Sequence, residues 1–308
     1  MSWFSSDSLE LALLSSEAGA HAVEQRAIWA RIMPDQLPEL TLAILDPLAL
    51  IAYLATGAVA GLLAGLLGIG GGALIVPALI AVFSDLHLDG LWVPHQAVAT
   101  SLATIIATGS ASAYSHHRRG GVDWSVFGVL GPALLIGAGV GALFGGAIAP
   151  LWLQRLFALF LFYTGARMLL RKPQRSSTPF PARPRLLGTG IGFGALAALL
   201  GVGGGILVVP FLARHGIALR RAVGTASACG VPIAAAGSLG FVLSGWDRAG
   251  LLPQSLGFVY WPAALAIVAT SMPFANLGAR LAHRLPTLTL KRVFAVLLLL
   301  VGIGLLRG

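Results

Sequence analysis

Charged residues are scarce in this sequence, and their scarcity sets the class of protein. Only 10% of the 308 residues are Asp, Glu, Lys or Arg, whereas 57% are hydrophobic and the mean hydropathy is +0.87. Because soluble globular domains carry about 25% charged residues, an ordinary soluble domain is excluded. Apolar runs long enough to cross a bilayer core recur along the chain. The composition therefore predicts an all-α polytopic membrane protein.

Cysteine is nearly absent from the sequence, and carboxylates are missing from the apolar runs. The single cysteine, Cys229, excludes an intrachain disulfide and a metal site built from several cysteines. The predicted spans contain no Asp or Glu. Intramembrane carboxylates are the usual cation sites and proton relays, so their absence argues against a cation carrier with carboxylate ligands. We expect no metal, no cofactor and no catalytic residues, and therefore not an enzyme.

A glycine-rich motif occurs twice. Residues 61–79, GLLAGLLGIGGGALIVPAL, align without gaps with residues 194–212, GALAALLGVGGGILVVPFL, and 13 of 19 positions are identical. Two further echoes follow in each half: AVATS at 97 resembles AVGTA at 222, and RLFALFLFYTG from Arg155 resembles RVFAVLLLLVG from Arg292. A repeat covering half of the chain is typical of duplicated transporters.

The repeat divides the chain into four segments. We predict an acidic N-terminal tail at 1–47, a first transmembrane repeat at 48–170, a basic linker at 171–185 and a second repeat at 186–308. Residues 48–83 would form about 54 Å of continuous helix, too long for one crossing, so a glycine-broken helical hairpin followed by three transmembrane helices is predicted for each repeat. In the shorter second copy, a single broken helix is also open.

Loop charge orients the two repeats. The basic residues that give the net charge of +9 lie mainly in the loops. Basic loops are typical of the cytoplasmic side of a membrane protein, so this charge does not indicate nucleic-acid binding. A hairpin plus three spans is an odd number of crossings, so the two repeats must have inverted topology. This arrangement places four basic segments on one side and the acidic tail on the other. The basic segments are 115–121, 171–185, 213–222 and 280–292.

The consecutive glycines predict helix breaks that bind an anion. Gly61 and Gly65 have the spacing of close helix packing, but a run of glycines interrupts a helix and exposes backbone at membrane depth, which is tolerated only in a protein interior or a wet cavity. The helix starting after each break would direct its N–H groups and positive dipole end to an anion. The residues concerned are Gly70, Gly71, Gly72, Gly203, Gly204 and Gly205.

Neutral hydroxyls and two arginines complete the candidate site. Thr100 and Thr225 occupy matching repeat positions, and Ser101 and Ser227 lie beside them; we predict that all four bind substrate, although helical hydroxyls more often bond to the carbonyl one turn earlier. Arg155 and Arg292 each begin the last span of a repeat. They are gating candidates, with interfacial snorkelling as the alternative.

The paired GLLGIGGG…VP and LLGVGGG…VVP motifs, the AVATS/AVGTA echo and the order of spans resemble the TauE/SafE sulfite exporter family over about residues 48–306. The resemblance implies a multi-pass bacterial inner-membrane transporter that exports sulfite or organosulfonates such as sulfoacetate by alternating access. A channel-like anion pathway, or a carrier of thiosulfate or other small organic anions, is the alternative. The expected partners are the anion and the lipid bilayer, not nucleic acid; a homodimer is left open.

Overall fold

The computed structural model describes residues 47–67, 71–85, 91–170, 179–252, 254–281 and 287–307. The first half forms α1 (Pro47–Leu67), α2 (Gly72–Asp85), α3 (Val93–His117), α4 (Trp124–Gly145) and α5 (Pro150–Leu170). The second half forms α6 (Arg183–Leu199), α7 (Gly205–Arg214), α8 (Leu219–Gly245), β1 (Ser255–Leu256), β2 (Val259–Tyr260), α9 (Trp261–Leu281) and α10 (Thr287–Arg307). The predicted tail before residue 47 lies outside the described residues.

Helix length and surface composition confirm the prediction of an all-α polytopic membrane protein. Six helices (α1, α3, α4, α5, α8 and α9) are long and apolar enough to cross a membrane. Large apolar side chains cover much of the outer surface; on α4 they are Leu135, Ile136, Val140, Leu143 and Phe144, each about half exposed or more. A soluble monomer rarely exposes such a continuous apolar surface, whereas lipid solvates it.

The first glycine triplet interrupts the chain, as predicted, and turns it back on itself. α1 ends at Leu67 and α2 begins at Gly72. Gly71 has a φ of +77°, which favours glycine, and its carbonyl accepts the N–H groups of Leu74 and Ile75 to start α2. Residues of both helices line one groove, so α2 runs back along α1; they include Ala55, Thr56, Val59, Leu74, Pro77 and Ala78.

The second glycine triplet also follows the end of a helix, and the chain reverses its direction there. α6 ends in a Schellman motif, in which Gly201, with a φ of +64°, donates to Ala198 O and Val202 donates to Ala197 O. α7 then runs beside α6, because the rings of Phe193 and Phe211 lie 5.6 Å apart, edge to face. Both copies are therefore hairpins, and the single broken helix considered for the second copy is not found.

The two halves exchange their first helices. α1 packs along α9 of the second half, and α6 packs along α4 of the first half. Glycines permit both contacts: a Cβ at Gly61 would collide with the backbone of Ser271, and a Cβ at Gly194 would collide with that of Leu134. The packing role predicted for Gly61 and Gly65 is thus confirmed, since Gly65 meets the backbone of Ala275 in the same way.

α3 and α8 form the centre of the molecule and run antiparallel. Leu102 lies against Gly237, and ten residues further along α3 the Ser112 hydroxyl donates to Ser227 Oγ at 3.1 Å. Each central helix also contacts the short helix of its own half, α2 on α3 and α7 on α8. The opposite directions of α3 and α8 accord with inverted repeats, whose orientation in the membrane stays a prediction.

The linker between the two repeats ends earlier in the chain than predicted. α6 begins at Arg183, within the segment assigned to the linker at 171–185. Pro184 lies in the first turn, where the missing N–H costs no helical hydrogen bond and the fixed φ suits the helix. Pro184, which in the sequence is typical of a linker, therefore lies in the first turn of a helix.

Candidate functional site

Buried hydroxyls and other polar side chains are concentrated on the two central helices. On α3 the fully or almost fully buried polar residues are His95, Gln96, Thr100, Ser101, Thr104, Thr108, Ser112, Ser115 and His116; on α8 they are Thr225, Ser227 and Ser238. Several bond within their own helix, as expected: Thr104 donates to Ser101 O at 2.7 Å and Thr108 to Thr104 O at 3.0 Å. Others join different helices: Thr108 also bonds to Ser271 of α9 at 2.7 Å.

The two glycine breaks meet at Ser101. Its hydroxyl donates to Gly201 O at 2.8 Å, at the end of α6. A Cβ added to Gly72, at the start of α2, would collide with the same Gly201 carbonyl and lie 3.0 Å from Ser101 Oγ. Ser101, Gly72 and Gly201 are all buried. One serine thus lies at the point where a helix of each half is interrupted.

The second break is bounded by Ala226, Gly230 and Ile233 of α8. Gly204 precedes α7, and its carbonyl accepts the N–H groups of Leu207 and Val208. A Cβ at Gly204 would lie 3.2 Å from Ile233 Cδ1 and 3.5 Å from both Ala226 O and Gly230 N. The first N–H groups of a helix have no acceptor within it, so the starts of α2 and α7 bring such groups to the breaks.

Thr100 and Thr225 form a reciprocal pair of bonds between the halves. Thr100 Oγ1 accepts the N–H of Tyr260, immediately before α9, at 2.9 Å; Thr225 Oγ1 accepts the N–H of Asp123, immediately before α4, also at 2.9 Å. Both threonines are fully buried. We call these two bonds the Thr100 latch and the Thr225 latch.

The latches lie at opposite ends of the central helix pair. From the antiparallel register, Thr225 is level with a position about 14 residues beyond Thr100 on α3, which corresponds to ~21 Å at 1.5 Å per residue. A small anion is much shorter than that. One small anion therefore cannot contact both Thr100 and Thr225, because the antiparallel packing separates the matching positions.

The other predicted residues have different surroundings. Ser227 donates to Val223 O at 3.0 Å and accepts from Ser112. Arg155 is exposed, and its guanidinium lies 5.6 Å from the centre of the Trp152 ring, which favours the interfacial alternative over a gate. Gly203 is buried in the turn before α7. Gly70 and the side chain of Arg292 lie outside the described residues.

The segment between α8 and α9 closes one end of α3, and sequence reasoning missed it. Gln96 donates from Nε2 to Ser255 Oγ at 2.8 Å and accepts the N–H of Leu252 at 3.4 Å. Phe258 is fully buried against the His95 ring, with centroids 4.9 Å apart. The length of the connection could have indicated this segment in the sequence. Fifteen residues separate α8 from α9, whereas only six separate α3 from α4 in the other repeat.

Comparison with known proteins identifies the family. The family model described as "Sulfite exporter TauE/SafE" matches residues 53–305. A probable membrane transporter protein of Haemophilus influenzae is 36% identical over 253 residues, covering 82% of this chain and 96% of that protein. The probable membrane transporter protein YdhB of Bacillus subtilis is 25% identical, covering 75% of this chain and 89% of YdhB.

A further relative is the probable inner membrane transporter protein TsaS of Comamonas testosteroni, 29% identical over 185 residues, which cover 60% of this chain and 72% of TsaS. No solved structure matches the chain. The family model spans most of the chain, and the three relatives, all named as probable membrane transporter proteins, are matched over 72% to 96% of their lengths. The chain belongs to the sulfite exporter TauE/SafE family and is a multi-pass membrane transporter protein.

Proposed function

We propose that this protein is a secondary transporter that exports small sulfur-containing oxyanions, sulfite or an organosulfonate such as sulfoacetate, across the bacterial inner membrane. The observation that carries the proposal is the meeting of the two glycine breaks at Ser101 Oγ and Gly201 O. Helix starts and a hydroxyl are groups that hold an oxyanion without a fixed charge. The name of the matching family supports the substrate class.

The scarcity of acidic residues in the described helices favours an anionic substrate over a cationic one. Apart from Asp85, the last residue of α2, none of the ten described helices contains Asp or Glu. An anion entering this interior would therefore meet no intramembrane carboxylate to repel it. An inside-negative membrane potential drives an anion outward with about 2.3 kcal/mol per charge per 100 mV, so export needs no further driving ion in principle.

The latches suit alternating access. A carrier of this kind needs two gates that open in turn, each at one end of the pathway. The Thr100 and Thr225 latches lie at opposite ends of α3 and α8, and each joins a central helix to the start of a helix of the other half. Release of one latch at a time would remove one of the contacts that tie the start of α9 or of α4 to the central pair. The threonines thus act as gate residues in this proposal.

The binding test is a thermal-shift screen of the purified protein with sulfite, sulfate, thiosulfate, sulfoacetate and taurine. We expect sulfite or sulfoacetate to stabilise the protein most and taurine, a zwitterion, less. Ser101→Ala should weaken the binding of the preferred anion roughly 10- to 100-fold, the effect of one hydrogen bond to a charged group.

Ser110→Ala is the matched control, because Ser110 is exposed on the same helix and donates only to Ile106 O. Equal affinity in wild type and Ser101→Ala would contradict the site. In proteoliposomes, saturable flux stimulated by anion on the opposite side identifies a carrier; flux without saturation would indicate a channel-like pathway instead.

Orientation is tested by cysteine labelling in a Cys229→Ser background. Ser84, near the end of α2, and Ser125, near the start of α4, are both exposed. With inverted repeats, Ser84→Cys should react with an impermeant thiol reagent added outside intact cells, and Ser125→Cys should react only after permeabilisation. Labelling of both from one side would contradict the proposed topology.

A further inference from the structure

A cavity of about 410 Å³ lies away from the glycine breaks, and the transport proposal makes no use of it. It opens where the start of α4, the start of α6 and the connection between α7 and α8 come together. Three polar residues line it, Asp123, Ser125 and Arg183, together with apolar residues that include Phe180, Leu186 and Ile217. Polar and apolar residues thus line one open pocket.

Two opposite charges line this cavity without pairing. Arg183 is exposed and forms no hydrogen bond or ion pair with any residue that the structure describes. Asp123 caps α4: its Oδ1 accepts the Ser125 hydroxyl at 2.5 Å and the Val126 N–H at 3.3 Å. The Ser125 hydrogen bond and, to a smaller extent, the charge of Arg221 hold the pKa of Asp123 below its usual value, so the carboxylate is charged at neutral pH. A separated cation and anion are complementary to a ligand that carries both charges.

The surroundings place the cavity at the edge of the apolar surface. Trp124, beside Asp123, is half exposed and donates its indole N–H to His117 at 3.1 Å, in the manner of interfacial tryptophans. On α6, the exposed Leu187 and Ile191 continue the apolar surface away from Arg183. A ligand with a charged end in the cavity would have room for apolar chains along α6.

We propose that this cavity binds the phosphoethanolamine headgroup of a membrane phospholipid. Arg183 holds the phosphate, because a guanidinium donates several N–H groups to one oxyanion. The Asp123 carboxylate accepts the ammonium N–H groups, and the apolar residues contact the glycerol and the first carbons of the acyl chains. A choline headgroup lacks N–H donors for Asp123, and an anionic glycerol headgroup lacks a cation for it, so neither should bind equally well.

The test is lipid add-back to delipidated protein, read by the thermal shift and by native mass spectrometry. Phosphatidylethanolamine should stabilise wild type more than phosphatidylcholine or phosphatidylglycerol and should remain bound. Arg183→Gln should lower the affinity for phosphatidylethanolamine about tenfold or more. Asp123→Asn should remove only the preference for ethanolamine over choline, because Asn is an equally good helix cap.

Arg185→Gln and Asp247→Asn are the controls, since both residues are exposed and neither lines the cavity. Equal effects of the three lipids on wild type, or an unchanged lipid preference in both cavity variants, would overturn the proposal. Free phosphoethanolamine that stabilises the protein as strongly as the lipid would assign the site to a soluble ligand and overturn the lipid assignment. Sulfite binding is a separate readout, so failure here leaves the transport proposal intact.

Discussion

The two glycine breaks have nearly the same sequence but different neighbours on the central helices. With AVATS aligned on AVGTA, Ser101 and Ile105 of α3 correspond to Ala226 and Gly230 of α8. At the first break, a Cβ on Gly72 would meet both Ile105 and Ser101; at the second, a Cβ on Gly204 would lie nearest to Ile233 and then to Ala226 and Gly230. A hydroxyl is thus supplied at the first break only.

The backbone differs as well. Gly71 has a φ of +77°, whereas Gly204, its counterpart, has a φ of −56°, as in an ordinary helix. A duplicated motif therefore sets where each half breaks, and the helix facing it sets how much space the break contains. Both breaks are bordered by an isoleucine, Ile105 at the first and Ile233 at the second, and they differ in the Ser101 hydroxyl and in the backbone conformation of the matching glycines.

The largest difference in stability between the two breaks is expected when the matching glycines, Gly71 and Gly204, are each replaced by alanine. Gly71→Ala forces an L-residue into the left-handed region, at about 1–2 kcal/mol, and places its Cβ 3.0 Å from Ala60 O. Gly204→Ala keeps a helical φ and meets only the flexible end of Ile233 and two atoms at 3.5 Å. Gly71→Ala should lower the thermal midpoint strongly and Gly204→Ala little. Equal loss in both variants would contradict the asymmetry.

Side-chain volume at Gly230 is the next test. Gly230→Ile gives the second break the residue that fills the first, and beyond the Cβ its side chain would run into Gly204 N, 3.6 Å away. We expect a loss of anion binding together with about 1–3 kcal/mol of overpacking. Gly230→Ala should bind normally, and so should Gly109→Ala on α3, whose Cβ has equally distant neighbours. Normal binding by Gly230→Ile would place the anion elsewhere.

The smallest effects are expected at the latches. Thr100→Val and Thr225→Val each remove one acceptor from a backbone N–H, and interhelical hydrogen bonds in membrane proteins average about 0.6 kcal/mol, with a maximum of about 1.7. Each variant should bind the anion as wild type does but shift accessibility toward the side of the broken latch, measured by thiol labelling of cysteines placed at each mouth. Identical labelling patterns in both variants would argue against a gating role.

Features that depend on local sequence were predicted well. Consecutive glycines break helices wherever they occur, and GxxxG spacing at Gly61 and Gly65 indicates close packing whatever the partner is. The partner itself was not predictable, because Gly61 meets Ser271 and Ser101 meets Gly201 across long stretches of chain. The same applies to Thr100 and Thr225: matching positions suggested one shared site, and only the antiparallel packing of α3 and α8 shows that they lie far apart.

The exchange of first helices has a consequence for biosynthesis. α1 obtains its main partner only when α9 has been made, since Gly61 packs on Ser271. At 5–20 residues per second, the intervening chain takes on the order of 10–40 s to synthesise. During that interval α1 has an unoccupied glycine face in the membrane, and the first repeat cannot complete its fold alone. Until then lipid surrounds the face of α1 that later packs on α9, and the two repeats depend on each other for their packing despite their duplicated sequence.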